Sequence, residues 1–161
     1  MSESVDFQVK QNDSFENTNT EKFLVFTIQD KLYCFPSRYI SEIAMFDTVY
    51  PLPLLPSYVL GVVNRYSVPY ALFDIGLLFY KSPTPRNKVL IFKEKVDKIA
   101  IIIDDVTGIA DINPDLIVSM ERSLDSNDLT EAVSASFNWN DDDVFVLDVF
   151  RILNKAAQET V

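Results

Sequence analysis

Apolar residues fall along this chain in short runs separated by polar or proline-bearing breaks. The most telling stretch is Pro51 to Leu78, PLPLLPSYVLGVVNRYSVPYALFDIGLL, which holds no lysine and only two formal charges, Arg65 and Asp74. Val59 to Val63 and Val68 to Ile75 are its apolar runs, joined by the polar link Asn64-Arg65-Tyr66-Ser67. Two β-capable runs with so short a link predict an antiparallel hairpin. Gly61 inside the first run predicts a bulge or a close backbone approach, and Pro69, which has no N–H, should face an edge or a turn.

The same reading places a hairpin at the start, Lys22 to Ile28 against Leu32 to Phe35, with Gln29-Asp30-Lys31 as the turn. Pro36-Ser37 should open a short helix capped by Ser37. In it Ile40, Ile43 and Ala44 share one face at helical spacing, Glu42 lies near that seam, and Asp47-Thr48 ends it. Val49 to Leu52 reads as a brief strand. Lys88 to Lys93 and Lys98 to Ile103 form another hairpin around Glu94 to Asp97. Ile99 to Ile103 is apolar throughout, which predicts burial on both faces. Further strands are expected at Ile109 to Ile112, Leu116 to Met120, Ala132 to Phe137 and Val144 to Val149, and a helix at Asp148 to Ala157. Residues Met1 to Glu21 read as a disordered polar arm, Glu121 to Glu131 as a mobile polar stretch, and Lys81 to Asn87, KSPTPRN, as a linker. Many short strands with little helix between them predict an all-β fold with short helices rather than a parallel α/β sheet. With the linker near Ser82 to Asn87 dividing the strands into two sets, the expected architecture is two small barrels sharing one core.

Composition narrows the function. The chain has 161 residues, 48% of them hydrophobic, enough for a sizeable core in one domain or two fused halves. A net charge of −10 argues against nucleic acid, whose binders carry a basic footprint, and against docking on anionic lipid. Cys34 is the single cysteine, so no disulfide forms within the chain. The N-terminus has neither the basic nor the apolar region of a signal peptide, and the longest uncharged run is too short and proline-rich to span a bilayer. The expectation is a soluble cytoplasmic protein.

There is no histidine, which removes the commonest general base and zinc ligand. The three glycines are scattered, so no phosphate loop exists. Three carboxylate sets remain. Asp74 closes the central strand. Asp104 and Asp105 are neighbours at a strand end, where their side chains diverge. Asp141-Asp142-Asp143 fills a loop lacking the turning Gly and bidentate Glu of a calcium site. An enzyme reading would need Asp74, Asp104 and Asp105 to converge in one pocket. No cofactor or metal is expected. Trp139 is either a rim aromatic over a core edge or an interface anchor. Arg65, at the tip of a rigid hairpin, suits partner recognition; its alternative is one solvated loop cation.

Several segments, taken in order, resemble the CheW-type chemotaxis coupling proteins, from about Lys22 to about Lys155. Phe23 to Phe26 with Leu32-Tyr33 resembles the family's opening hairpin. Ile40-Ser41-Glu42-Ile43, then Leu52-Pro53, Pro56, Tyr58 and Gly61, resembles its "V-x-E-I … P-x-x-P-x-x-x-x-G" passage. Gly61 to Asn64 and Val68-Pro69 to Asp74 resemble "G-x-x-N-L-R-G … P-V-x-D-L". Ile103 to Val106 resembles "V-D-x-V", and Val146 to Val149 with Ile152-Leu153 resembles "L-L-D-x-x-x-L-L". One departure stands out: Asn64 is followed directly by Arg65-Tyr66-Ser67-Val68-Pro69, so the hairpin is about two residues shorter and lacks the signature glycine.

The resemblance implies a CheW-like domain over 22–157, built of two SH3-like five-stranded β-barrel subdomains with a C-terminal helix. It implies a non-catalytic adaptor that joins the regulatory domain of the histidine kinase CheA to the cytoplasmic tips of methyl-accepting chemotaxis receptors. Partner contacts are expected at Asn64, Arg65 and Tyr66 of the hairpin, with Glu42 as a further candidate; Ile40, Ile43, Val62 and Val68 are either apolar contacts or core residues. The altered hairpin also suits an adaptor of a different sensory kinase pathway, such as one controlling surface motility.

Overall fold

The computed structural model describes residues 19–46, 48–85, 88–120 and 131–159. Residues 1–18 and 121–130, where an arm and a mobile stretch are expected, lie outside them. The strands are β1 (Glu21–Ile28), β2 (Lys31–Pro36), β3 (Ile40–Met45), β4 (Val59–Arg65), β5 (Val68–Asp74), β6 (Lys88–Phe92), β7 (Ile99–Ile103), β8 (Asp105–Ile112), β9 (Val118–Ser119), β10 (Val133–Trp139) and β11 (Asp142–Leu147). Helix α1 (Ile75–Tyr80) follows β5, and α2 (Val149–Glu159) follows β11.

The strands form two sheets. One runs β8-β1-β2-β11-β10-β9, five strands plus the two-residue β9, and the other runs β3-β6-β7-β5-β4. Pairing is antiparallel except β2 with β11 and β5 with β7. Each sheet curls round its own apolar interior. Phe23, Val25, Cys34, Ala110, Phe137 and Val144 fill the first. Val63, Tyr70, Leu72, Val89, Ile91 and Ala100 fill the second. A third, larger cluster lies between them.

The central strands supply two of these cores at once through the period-2 alternation of a strand. On β1, Phe23 and Val25 face the first interior while Leu24, Phe26 and Ile28 face the shared core. On β7, Ala100 and Ile102 face the second interior while Ile99, Ile101 and Ile103 face the shared core. All five β7 residues are buried, as the unbroken apolar run predicts. Both helices cap the shared core, α1 through Ile75 and Leu78 and α2 through Val149, Ile152 and Ala156. Ile75, Leu78, Val149 and Ile152 each contribute about 1.5–3 kcal/mol over their exposed state.

Four expectations need correction. The linker does not divide the strands into two sets: β6 and β7, beyond it, complete the sheet that begins with β3, β4 and β5. The second sheet is instead one contiguous block, β3 to β7, inserted between β2 and β8 of the first. The expected helix after Pro36 is a single 3-10 turn, Ser37–Tyr39, followed by strand β3. Along β3 the inward positions are Ile40, Glu42 and Ala44 and the outward ones Ser41, Ile43 and Met45, so pairing with β6 overrides the helical spacing. Val49 to Leu52 contributes only a bridge, Tyr50 to Val62. Leu116 to Met120 reduces to the end of a 3-10 turn (Pro114–Leu116) and the short β9.

Three hairpins turn on two residues each: Gln29-Asp30, Tyr66-Ser67 and Asn140-Asp141. The φ values are 51° and 66°, 51° and 66°, and 52° and 66°. Positive φ at both positions is the type I′ geometry that matches strand twist. Gly61 carries both properties expected of it. A register shift lies between Val59 and Gly61. Its φ is +142°, and a Cβ there would stand 2.2 Å from the Tyr50 carbonyl oxygen.

Candidate partner-binding site

The β4–β5 hairpin projects from the second barrel, whose edge strands are β3 and β4. Arg65 ends β4 and pairs with Val68, so the tip itself is Tyr66-Ser67. The Arg65 guanidinium turns back across the seam to Glu42 on β3. Nε donates to Oε1 at 2.5 Å and Nη2 donates to Oε2 at 3.0 Å. A two-point fork of this kind fixes geometry as well as charge. It joins the two strands that no ladder joins and so closes the barrel at this end. The hydrogen bond from Arg65 holds the Glu42 carboxyl below its usual range, and the same bond raises Arg65. The guanidinium also lies 4.5 Å from the centre of the Tyr66 ring, a cation–π distance. Tyr66 is 81% exposed.

The structure therefore brings Glu42, Arg65 and Tyr66 together in one chain of contacts. The other candidates scatter. Asn64 is exposed opposite Pro69. Ile43 is exposed on the outer face of β3. Ile40 packs partly against the shared core, and Val68 partly against the second interior. Val62 exchanges two backbone hydrogen bonds of 2.8 Å with Tyr50. Sequence reasoning missed Met45, Tyr50, Leu52 and Leu54, large apolar residues exposed on this same barrel. A signal existed for Leu52 and Leu54: flanking Pro51, Pro53 and Pro56 keep them out of a ladder.

Asp74 does not converge with Asp104 and Asp105. Asp74, 1% exposed, caps α1 through Oδ1, which accepts from the Gly76 and Leu77 amides. Its two oxygens also accept from the Thr84 hydroxyl at 2.7 Å and the Thr84 amide at 2.9 Å. Its bonding is spent on structure. Asp104 accepts from the Gln29 amide at 2.7 Å, and Asp105 pairs with Lys88. Those two line an open cleft of about 520 Å³ with Thr27, Asp30, Met45 and Pro85, and Asp74 takes no part in it. Among the described residues no group of side chains has a metal-binding arrangement, and no helix is long and apolar enough to cross a membrane. Trp139 packs partly against the first interior, over Gly108, which favours the rim-aromatic role.

The model of the CheW-like domain matches residues 22–157. The chain belongs to the CheW-like family. The chemotaxis protein CheW of Rhizobium meliloti (strain 1021) is 24% identical, over 64% of this chain and 73% of that protein. The scaffolding protein TtCheW of Thermoanaerobacter tengcongensis superposes with a TM-score of 0.70 at 16% identity, covering 81% of this chain and 85% of that one. The latter is a likeness of fold.

Proposed function

We propose that this chain is a non-catalytic adaptor of chemotaxis signalling that joins the regulatory domain of the histidine kinase CheA to the cytoplasmic tips of methyl-accepting receptors. The observation that carries the reading is the match of the CheW-like domain across both barrels, residues 22–157. The physical arrangement supports it. Asp74 serves as a helix cap away from the cleft that Asp104 and Asp105 line, and Asp105 is held in an ion pair. Large apolar side chains are exposed on the second barrel, at Ile43, Met45, Tyr50, Leu52, Leu54 and Tyr66, and also along β8 and β9, at Ile109 and Val118. Apolar surface with a polar rim is what an interface core requires. Such an adaptor works in the cytoplasm, where both partners present their soluble parts, and inserts in no membrane. The shortened hairpin favours a second reading, the same role in another sensory kinase pathway such as surface motility.

The test is calorimetric titration of the full chain with the CheA regulatory domain encoded beside it. Binding at a dissociation constant on the order of tens of micromolar or tighter supports the reading. Silence at that concentration with this kinase, and binding to the regulatory domain of a different sensory kinase, would move the chain to the second.

A further inference from the structure

We infer that the last turn of α2 is a strap, latched to the second barrel through Tyr58 and Glu159, that releases without the fold unravelling. The two ends of the helix are held by different barrels. At its start the Asp148 amide donates to the Ala132 carbonyl at 2.8 Å, beside the first residue of β10. The Asp148 carboxylate accepts from the amides of Phe150 at 2.9 Å and Arg151 at 3.3 Å. The Arg151 guanidinium donates to the Val133 carbonyl at 3.0 Å. That end belongs to the first barrel. At its finish, Oε2 of Glu159 accepts from the Tyr58 hydroxyl at 2.6 Å. Tyr58 stands just before β4 and is 4% exposed, and its carbonyl accepts from the Asp74 amide at 2.7 Å. This end belongs to the second barrel.

The two ends differ in what else holds them. The first half of α2 buries Val149 and Ile152, whereas beyond Lys155 only Ala156 is buried and Ala157, Gln158 and Glu159 are exposed. One small apolar side chain gives the last turn little hold. Its electrostatics are adverse as well. An anionic side chain at a helix C-terminus lies against the negative end of the macrodipole, and the last turn carries no basic residue. A glutamate there works against the helix that bears it, so its place is explained by what it reaches. Lys155, one turn back, lies 3.0 Å from Oε1 of Glu159 and 3.4 Å from Glu131. The Glu159 carboxylate therefore sits between a hydroxyl of the second barrel and an ammonium of its own helix. A turn held by polar contacts, with little apolar burial, opens far more readily than the whole fold. Release uncovers Tyr58 and Ala156, both part of the shared core, and leaves Val149 and Ile152 seated. The strap thus governs how firmly the two barrels keep one orientation, whatever partners they meet.

Amide hydrogen exchange of the full chain, read residue by residue by NMR in low urea, tests this on wild type, Tyr58→Phe and Glu159→Gln. In wild type the amides of Lys155 to Glu159 should exchange by an opening that urea barely affects, since release exposes little surface. Those of Ile99 to Ile103 in β7 should exchange more slowly and accelerate with urea. Tyr58 lies 101 residues from Glu159 in sequence, so it reaches the last-turn amides only through the latch. Tyr58→Phe should speed their exchange about fivefold or more, in keeping with the loss of a hydrogen bond to a charged group. Glu159→Gln should speed it too, whereas a helix end free of any latch would be steadied by losing an anion from its C-terminus. Unchanged last-turn exchange in Tyr58→Phe overturns the inference. So does slower exchange in Glu159→Gln, or wild-type last-turn amides that exchange only together with β7 in the urea-sensitive opening. No partner enters the measurement, so its outcome stands apart from the adaptor reading.

Discussion

Replacing Asp74 by alanine should be among the most damaging single changes in this protein, although the residue touches no partner. Its carboxylate is buried and accepts four hydrogen bonds, from the amides of Gly76, Leu77 and Thr84 and from the Thr84 hydroxyl. Together they fix the start of α1 and the segment after it, and α1 carries Ile75 and Leu78 into the shared core. Loss of a helix N-cap costs about 1 kcal/mol. Thr84 is itself only 7% exposed. Its stranded donors add about 1–3 kcal/mol, the penalty for buried polar groups left unsatisfied. The expected total is about 2–4 kcal/mol. In a chain of this size each kcal/mol lowers the melting temperature by about 2–4 °C. Trp139 is the sole tryptophan and packs against the first interior, so urea unfolding followed by its fluorescence and by far-UV circular dichroism reads whether the loss spreads beyond the second barrel. Asp74→Asn keeps an acceptor but sets an amide N–H against one of the donors, and should fall between wild type and alanine. A loss for Asp74→Ala below about 0.5 kcal/mol, the range of an ordinary surface change, would refute the structural role given to this carboxylate.

Other outcomes follow from single features. Gly61→Ala would place a Cβ 2.2 Å from one backbone oxygen and 2.8 Å from its carbon; it should cost about 2 kcal/mol or more, measured by denaturant midpoint. Arg65→Glu should weaken receptor or kinase binding without unfolding the domain, since it breaks the fork and repels Glu42, and the double variant Glu42→Arg with Arg65→Glu should recover part of it; a double mutant no better than the single would leave the fork no part in binding. The Glu42 carboxyl is held below its ordinary value of 4.5 by its bond from Arg65. Its stabilising contribution is therefore full above that ordinary value and is lost as pH falls through the lower folded one. The stability difference between wild type and Glu42→Gln should accordingly be constant near neutrality and vanish in acid. Burial pushes the Cys34 thiol far up and keeps it from reagents; a disulfide-exchange reagent should label it only at the rate of unfolding, and fast labelling of the native chain would contradict its place in the first interior.

The parts of the fold that were legible in the sequence are those set by local chemistry. The unbroken apolar run of β7 announced a strand buried on both faces. The polar link after Val63 announced a hairpin, and Gly61 announced a bulge or a close backbone approach, though not that Tyr50 would be the neighbour. What local pattern could not supply was pairing between distant segments. Ile40, Ile43 and Ala44 satisfy a helical period, yet β6 recruits them as a strand with a register shift between Ile40 and Glu42. Helix α1 went unread because its residues continue the apolar run of β5, and only the capping role of Asp74 marks the boundary. The linker misled for the same reason, since β5 and β7 pair in parallel across it. At the candidate site, residue type suggested Arg65 as the exposed contact. Spacing along the chain cannot show that Glu42 lies across a barrel seam, and it is that neighbour which turns the arginine inward and leaves the tyrosine outermost.

The central claim is that one inert chain holds two other proteins side by side. Receptor cytoplasmic fragments assembled on vesicles, mixed with full-length CheA and sedimented, test it most directly. With this chain present the kinase should enter the pellet and its autophosphorylation rate should change; without it, the kinase should stay in the supernatant. Equal recovery of kinase with and without the chain would contradict the account.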